Sequence, residues 1–358
     1  MNRKQTRQIR VGQVPVGGDA PVTVQSMTNT DTKDIENTVR QMKELEAAGC
    51  DLIRSAINDL EDAKAIPVIK DRIHMPLIAD IQFDHRLALH AMEYGCDCLR
   101  INPGNIGSKE KVKEVVRMAQ QRKIPIRVGV NSGSLHQSMI DAHGGVNARS
   151  LVESALLQIR EMEELGFTDM KIAIKSSRVQ ETIEACRMFS ERSNYPLHLG
   201  ITEAGPKETG IVKSAVGIGT LLSEGIGDTI RVSLTADPLE EVRAGIDILK
   251  ACGLRKEGLE LISCPTCART KIDLLSIVEQ AETALRGRRI NATVAIMGCA
   301  VNGPGEAREA DLGIAGGKGE GLLFAKGKII RKVPEERLLE ALLEEIDRLE
   351  RIQNGTAS

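Results

Sequence analysis

Short runs rich in Val, Ile and Leu recur along the chain, at residues 22–27, 52–57, 76–81, 98–103, 125–130, 170–175, 196–201 and 229–234. Each reads as a strand. Neighbouring side chains of a strand point to opposite faces, so a run apolar at nearly every position is buried on both. Between these runs lie stretches whose apolar residues recur three and four apart, with charges on the remaining positions. Residues 34–48, 109–121, 150–165, 178–190 and 238–251 are examples, and they read as amphipathic helices. Doubly buried strands alternating with helices imply a parallel sheet. Eight such units in roughly 250 residues fit an N-terminal (β/α)8 TIM barrel. An open doubly wound sheet is the runner-up, but no G-x-G-x-x-G follows the first strand.

The eight-unit rhythm stops near Cys252. Beyond it the pattern predicts strands at 259–262, 292–297, 311–315 and 322–328, and helices at 271–286 and 334–351, with a glycine-rich stretch after Met297. That is a small C-terminal α+β module. The expected division is a barrel domain over 1–255 and a second domain over 256–358.

Composition narrows the function. Hydrophobic residues make up 41% of the 358 and charged residues 27%, with a net charge of −2. The balance gives no reason to expect nucleic acid or an anionic membrane as a partner. Four Phe, two Tyr and no Trp leave little for base stacking. No apolar run approaches the ~18 residues of a membrane span, and the polar, basic start has no apolar stretch behind it. A cytoplasmic protein with reduced cysteines is expected. Five of the eight cysteines, Cys50, Cys96, Cys98, Cys186 and Cys252, lie in or beside apolar stretches and read as ordinary small core residues.

Barrel enzymes draw their catalytic groups from the C-terminal ends of the strands and the loops after them. Here Arg54, Arg100, Arg127 and Arg231 fall within predicted strands, and Lys175 closes the sixth. A single buried cation is readily explained by a carboxylate on a neighbouring strand. Five from five strands point instead to an anion site, and arginine suits bidentate phosphate contacts. Gln25, Ser26, Asp80, Asn102, Asn131, Ser233 and Glu203 share the predicted rim. Glu203 either balances charge or moves a proton. The loops opened by Asn102 and Asn131 contain glycine and could offer backbone N–H groups to phosphate.

The remaining cysteines form Cys264-Pro-Thr-Cys267 and, further on, Cys299. Several readings stay open. An iron–sulfur cluster on three thiolates leaves one iron for another ligand, with Glu306 the nearest candidate. A structural zinc normally takes four Cys or His ligands, whereas the last histidine is His198 and the module has no fourth cysteine. A dithiol redox pair lacks its usual βαβ setting. The thiols could also be unrelated.

Six segments together carry a resemblance. They are Val24-Gln-Ser-Met-Thr-Asn29, Leu99-Arg-Ile-Asn-Pro-Gly-Asn105, Arg127-Val-Gly-Val-Asn-Ser-Gly133, Leu199-Gly-Ile-Thr-Glu-Ala-Gly205, Ser263-Cys-Pro-Thr-Cys267 and Met297-Gly-Cys-Ala-Val-Asn-Gly-Pro-Gly-Glu306. With them the chain resembles the 4-hydroxy-3-methylbut-2-enyl diphosphate synthase family of the methylerythritol phosphate route to isoprenoids, in its two-domain bacterial form. The resemblance implies reductive dehydroxylation and ring opening of 2-C-methyl-D-erythritol 2,4-cyclodiphosphate. It implies a [4Fe–4S] cluster on Cys264, Cys267, Cys299 and Glu306, and electrons from ferredoxin or flavodoxin. Arg54, Arg100, Arg127, Asn131, Lys175, Arg231 and Ser233 would bind substrate, and Glu203 would be the acid/base group. A head-to-tail homodimer is implied as well. Gln82 departs from the family's Asp-Ile-His-Phe, which puts an imidazole contact in doubt.

Overall fold

The computed structural model describes residues 3–256, 258–285, 288, 290–299 and 307–355. The chain divides between Arg255 and Lys256 into two compact units. An antiparallel hairpin, β1 (Ile9–Val11) with β2 (Val14–Val16), opens the first unit. Eight strands follow: β3 (Thr23–Met27), β4 (Leu52–Ala56), β5 (Leu77–Asp80), β6 (Cys98–Ile101), β7 (Ile126–Asn131), β8 (Met170–Lys175), β9 (His198–Leu199) and β10 (Thr229–Ile230). They pair in parallel in the order β8-β7-β6-β5-β4-β3-β10-β9. A parallel bridge from Ile172 to Leu197 joins β8 to the approach of β9 and completes the ring. The barrel is therefore the architecture, and the open sheet is set aside.

Local sequence explains where the helices between the strands begin. Asp34, Asp59, Asp84 and Asp237 each accept a backbone N–H of the first helical turn. Asn147 and Ser150 form a reciprocal capping box ahead of Ala148–Glu164. The helices bury their apolar faces against the outward residues of the strands, such as Ile53, Leu77, Leu99, Ile126, Val128, Ile172 and Ile174. Cys50, Cys96 and Cys186 belong to this core, while Cys98 lies on the inner face and Cys252 is half-buried.

Alternation sends the intervening residues inward. Leu52, Ile78 and Cys98, near the beginnings of their strands, face the lumen and pack against Ile9, Val11 and Val16 of the hairpin. The hairpin thus plugs the N-terminal end of the barrel with apolar side chains.

Two predicted strands are shorter in the structure. The seventh keeps regular pairing only over His198–Leu199 and the eighth over Thr229–Ile230, so Arg231 and Ser233 lie just past a strand rather than in one. Arg231 still donates its backbone N–H to the carbonyl of Leu199 at 3.0 Å.

The second unit is a five-stranded sheet of β11 (Leu259–Ser263), β12 (Ala292–Met297), β13 (Leu312–Ala315), β14 (Glu320–Ala325) and β15 (Lys328–Pro334), hydrogen-bonded in that order. The first three strands are parallel and the last two antiparallel. Helices Leu274–Leu285 and Leu338–Gln353 pack with Val294, Ile296, Ile314 and Leu323 into one core. The single strand predicted over 322–328 is the middle of a hairpin. Lys326 and Gly327 both take positive φ, 47° and 72°, which is the geometry of a tight two-residue turn. No helix among the described residues is long and apolar enough to cross a membrane.

Leu52 is fully buried where hairpin and lumen meet. Leu52→Ala is expected to cost roughly 2–5 kcal/mol of stability, read from the urea unfolding midpoint. A loss below ~0.5 kcal/mol would show that the plug is loosely packed.

Candidate active site

TIM-barrel lumens are usually filled by branched apolar side chains. This one is filled largely by charge. Arg54 on β4, Arg100 on β6, Arg127 on β7, and Lys171 and Lys175 on β8 alternate with outward-facing core residues, as does Arg231 after β10. All of them therefore face inward. Arg54, Arg127, Lys171 and Lys175 are buried, and Arg100 and Arg231 are half-buried. Small residues make room for the long ones. A Cβ at Gly200 would lie 2.5 Å from Lys175 Nζ and 2.5 Å from the carbonyl oxygen of Arg231.

Among the described residues, two carboxylates meet these six cations. Asp80 Oδ1 accepts from Arg100 Nη1 at 3.0 Å, and its Oδ2 lies 3.6 Å from Arg54 Nε. Glu241, on helix Pro238–Ala251, pairs with Arg231 at 3.2 Å and also accepts the backbone N–H of Leu234. Arg127, Lys171 and Lys175 have no ion-pair partner among the described residues. Positive charge is in clear excess.

The titration shifts record this excess. Burial, with repulsion from Arg231 and Arg100 and partial relief from Asp80, pushes Arg54 down to about 10. Burial and the neighbouring Arg127 and Arg54 push Lys171 down to about 8. Lys175 and Arg127 fall well below their ordinary values, from burial first and the other cations next. Burial would raise Asp80, but Arg54, Arg100 and Arg127 hold it below the usual carboxylate range. Such a site is costly unless an anion completes it.

The rim differs in detail from the sequence expectation. Gln25 and Ser26 are adjacent in β3, so they cannot share a face. Gln25 is buried in the lumen and Ser26 faces the helices with Val24. Asn102 caps the short helix Pro103–Ile106, accepting from the Gly104 N–H at 3.1 Å. Asn131 ends β7 half-buried, and Ser233 is half-buried after β10. Gln82 is exposed, and its side-chain oxygen accepts from Arg100 Nη1 at 3.2 Å. Glu203 is exposed in the loop after β9 and takes a φ of 52°, uncommon for a residue other than glycine.

Sequence reasoning missed Lys171, His198 and Glu241. Lys171 carried a readable signal, because it shares strand parity with Lys175. His198, fully buried and facing the lumen, had only its place in a short strand. Glu241 sits on a helix, and nothing local distinguishes it from a surface carboxylate.

In the second unit, neighbouring strands β11 and β12 run parallel with Ser263 opposite Ile296. Cys264 and Cys299 therefore follow the same ends of adjacent strands. The Gly298 N–H donates to Cys264 Sγ at 3.1 Å. Backbone and side-chain hydrogen bonds from Arg269, and a further one from Thr270, pull the exposed Cys267 thiol below its ordinary value. Both features favour thiolate over thiol. Among the described residues, no three His, Cys, Asp or Glu gather tightly enough to hold a single metal ion. A cubane cluster spreads its thiolates over different irons and does not need such a focus. Glu306 lies outside the described residues.

Comparison with known proteins agrees with this architecture. A crystal structure of Yersinia pestis dihydropteroate synthase superposes with a TM-score of 0.52 at 12% identity, covering 70% of this chain and all of that one, which supports the barrel fold alone. A Clostridium perfringens protein named 4-hydroxy-3-methylbut-2-en-1-yl diphosphate synthase (flavodoxin) is 58% identical over 347 residues, 97% of this chain and 99% of the relative. A protein of the same name from Clostridium acetobutylicum is 56% identical over 349 residues, 98% of this chain and all of the relative. The GcpE TIM-barrel domain profile matches residues 6–246, and the GcpE protein C-terminal domain profile matches residues 260–348. With both domains matched in order along nearly its whole length, the chain belongs to the GcpE family.

Proposed function

We propose that the chain is a 4-hydroxy-3-methylbut-2-en-1-yl diphosphate synthase. In this reading it reductively removes a hydroxyl from 2-C-methyl-D-erythritol 2,4-cyclodiphosphate and opens the ring to the linear diphosphate. The observation that carries the reading is the uncompensated positive charge in the barrel lumen, which calls for a multiply charged anionic guest of small size. A cyclic diphosphate brings two negative charges and oxygens suited to guanidinium forks.

Arg54, Arg100, Arg127, Lys175 and Arg231 would hold the diphosphate, with Ser233 and Asn131 adding neutral hydrogen bonds at the strand ends. Asp80 and Glu241 keep Arg54, Arg100 and Arg231 oriented before the guest arrives. That preorganisation spares the substrate the cost of ordering long side chains. Gln82 adds a second brace on Arg100, the place where the family pattern has histidine. Glu203 would hold the proton that lets the hydroxyl depart as water rather than hydroxide. Its exposure in the free protein leaves it able to pick up that proton from solvent.

The thiols suit an iron–sulfur cofactor, because Cys264 and Cys267 already receive hydrogen bonds that stabilise thiolate. Cys264, Cys267 and Cys299, with Glu306 as the replaceable fourth ligand, would hold a [4Fe–4S] cluster. When bound, it would supply low-potential electrons and a Lewis-acidic iron. Flavodoxin, named with the relatives, is the proposed donor, ferredoxin being the alternative. A head-to-tail homodimer in the cytoplasm belongs to the same proposal.

The direct test is anaerobic turnover of the cyclic diphosphate with dithionite. Formation of the linear diphosphate is expected, and an iron-loaded protein that leaves the cyclic compound untouched would refute the assignment. Glu203→Gln should keep substrate affinity and lose about 10²–10⁴ in turnover; unchanged turnover removes Glu203 from proton delivery. Lys175→Met should raise KM about tenfold or more by removing one cation from the diphosphate set, with a smaller effect on kcat. An unaltered KM would mean that Lys175 does not touch the substrate.

A further inference from the structure

Beneath the proposed diphosphate site lies a second set of polar groups, of which Arg127 alone also belongs to the diphosphate set. Among the described residues, Thr23 Oγ1, both amide atoms of Gln25, Arg127 Nε and Nη1, Lys171 Nζ, both ring nitrogens of His198 and Thr229 Oγ1 are buried without a hydrogen-bond partner. Orphans of this kind are rare in native interiors, and so many in one place call for a guest.

These residues form a continuous arc. Arg127 sits opposite Lys171, and Thr229 sits opposite both His198 and Thr23. The bridge from Ile172 to Leu197 brings β8 beside His198. The arc thus spans five neighbouring strands, β7, β8, β9, β10 and β3. Across the lumen stand the apolar Leu52, Ile78 and Cys98, closed from below by the hairpin. Lys171 precedes Lys175 by four strand residues, which puts its backbone about 13 Å deeper along β8. The arc lies below the strand ends, and Arg127, opposite Lys171 on one side and Arg100 on the other, joins the two levels.

Water could satisfy these hydrogen bonds but could not balance the charge. The carboxylates that touch the lumen cations are already engaged, Asp80 by Arg54 and Arg100 and Glu241 by Arg231. Arg127, Lys171 and the two threonine hydroxyls can all donate, and burial with the surrounding cations keeps His198 neutral, with one N–H to give. Most of the orphaned atoms are donors, and a small guest that accepts from every direction and carries one negative charge fits them; Gln25 Oε1 and the unprotonated ring nitrogen of His198, which only accept, are left to water. We propose that the floor of the barrel lumen binds a single halide-class anion among Arg127, Lys171 and His198, distinct from the guest at the strand ends.

The test uses anaerobically prepared full-length holoprotein. Crystals grown with bromide in place of chloride should show one anomalous peak in contact with Arg127, Lys171 and His198. In solution, replacing gluconate by chloride at fixed ionic strength should raise the unfolding midpoint by about 3 °C per tenfold halide. The rise should persist with saturating inorganic pyrophosphate and vanish in Lys171→Met. Thr229→Val, which removes one donor at nearly constant volume, should shrink it and serves if Lys171→Met does not fold. Absence of a lumen peak, a peak only at Arg54 and Arg231, loss of the rise with pyrophosphate, or an equal rise in wild type and variants would each overturn the proposal.

Discussion

Positive charge held inside a closed barrel is the constraint around which the first unit is organised. Six cationic side chains project into a lumen that ordinarily would be packed with branched hydrocarbon, and two carboxylates meet them. Charges removed from water without partners cost several kcal/mol each. The depressed values of Arg54, Lys171, Lys175 and Arg127 are the direct expression of that cost. The fold tolerates it because the surrounding shell is apolar and tight. Stability is supplied by the helix-to-strand interface, where residues such as Ile53, Leu99, Val128 and Ile172 are fully buried.

Several smaller features make sense against that charge. The β1–β2 hairpin closes the N-terminal end of the lumen with apolar side chains, which lowers the local dielectric and strengthens every charge–charge interaction there. Gly200 leaves the space that Lys175 Nζ occupies. Asp80 and Glu241 do not neutralise the site; they orient three of the arginines and leave the remainder for a guest. A lumen with balanced charge would be more stable and would attract anions less.

The second unit solves a different problem, that of presenting reduced sulfur. Parallel pairing of β11 and β12 brings the segments carrying Cys264 and Cys299 out at the same end. N–H donors at Gly298 and Arg269 then favour thiolate at Cys264 and Cys267. The core beneath, built from Val294, Ile296, Ile314 and two amphipathic helices, holds those strands in register. The antiparallel β14–β15 hairpin extends the sheet on the side away from the cysteine-bearing strands.

Much of this was legible in the chain itself. Doubly apolar runs separated by amphipathic stretches specify buried parallel strands and covering helices, because the periods of 2 and 3.6 residues are local properties of the backbone. Arg54, Arg100, Arg127 and Lys175 could be picked out for the same reason, as charges inside runs that are otherwise apolar. The turn at Lys326 and Gly327 was missed because a positive φ at lysine has no compositional mark. What only the tertiary structure decided is depth and company. Gln25 enters the lumen while Ser26 does not, Lys171 and His198 share a level with Arg127, and Glu241 reaches Arg231 from a helix. Those relations depend on strand register and barrel closure, which join residues far apart in the chain. Alternation can say that a side chain points inward, but only the closed ring fixes what it meets there.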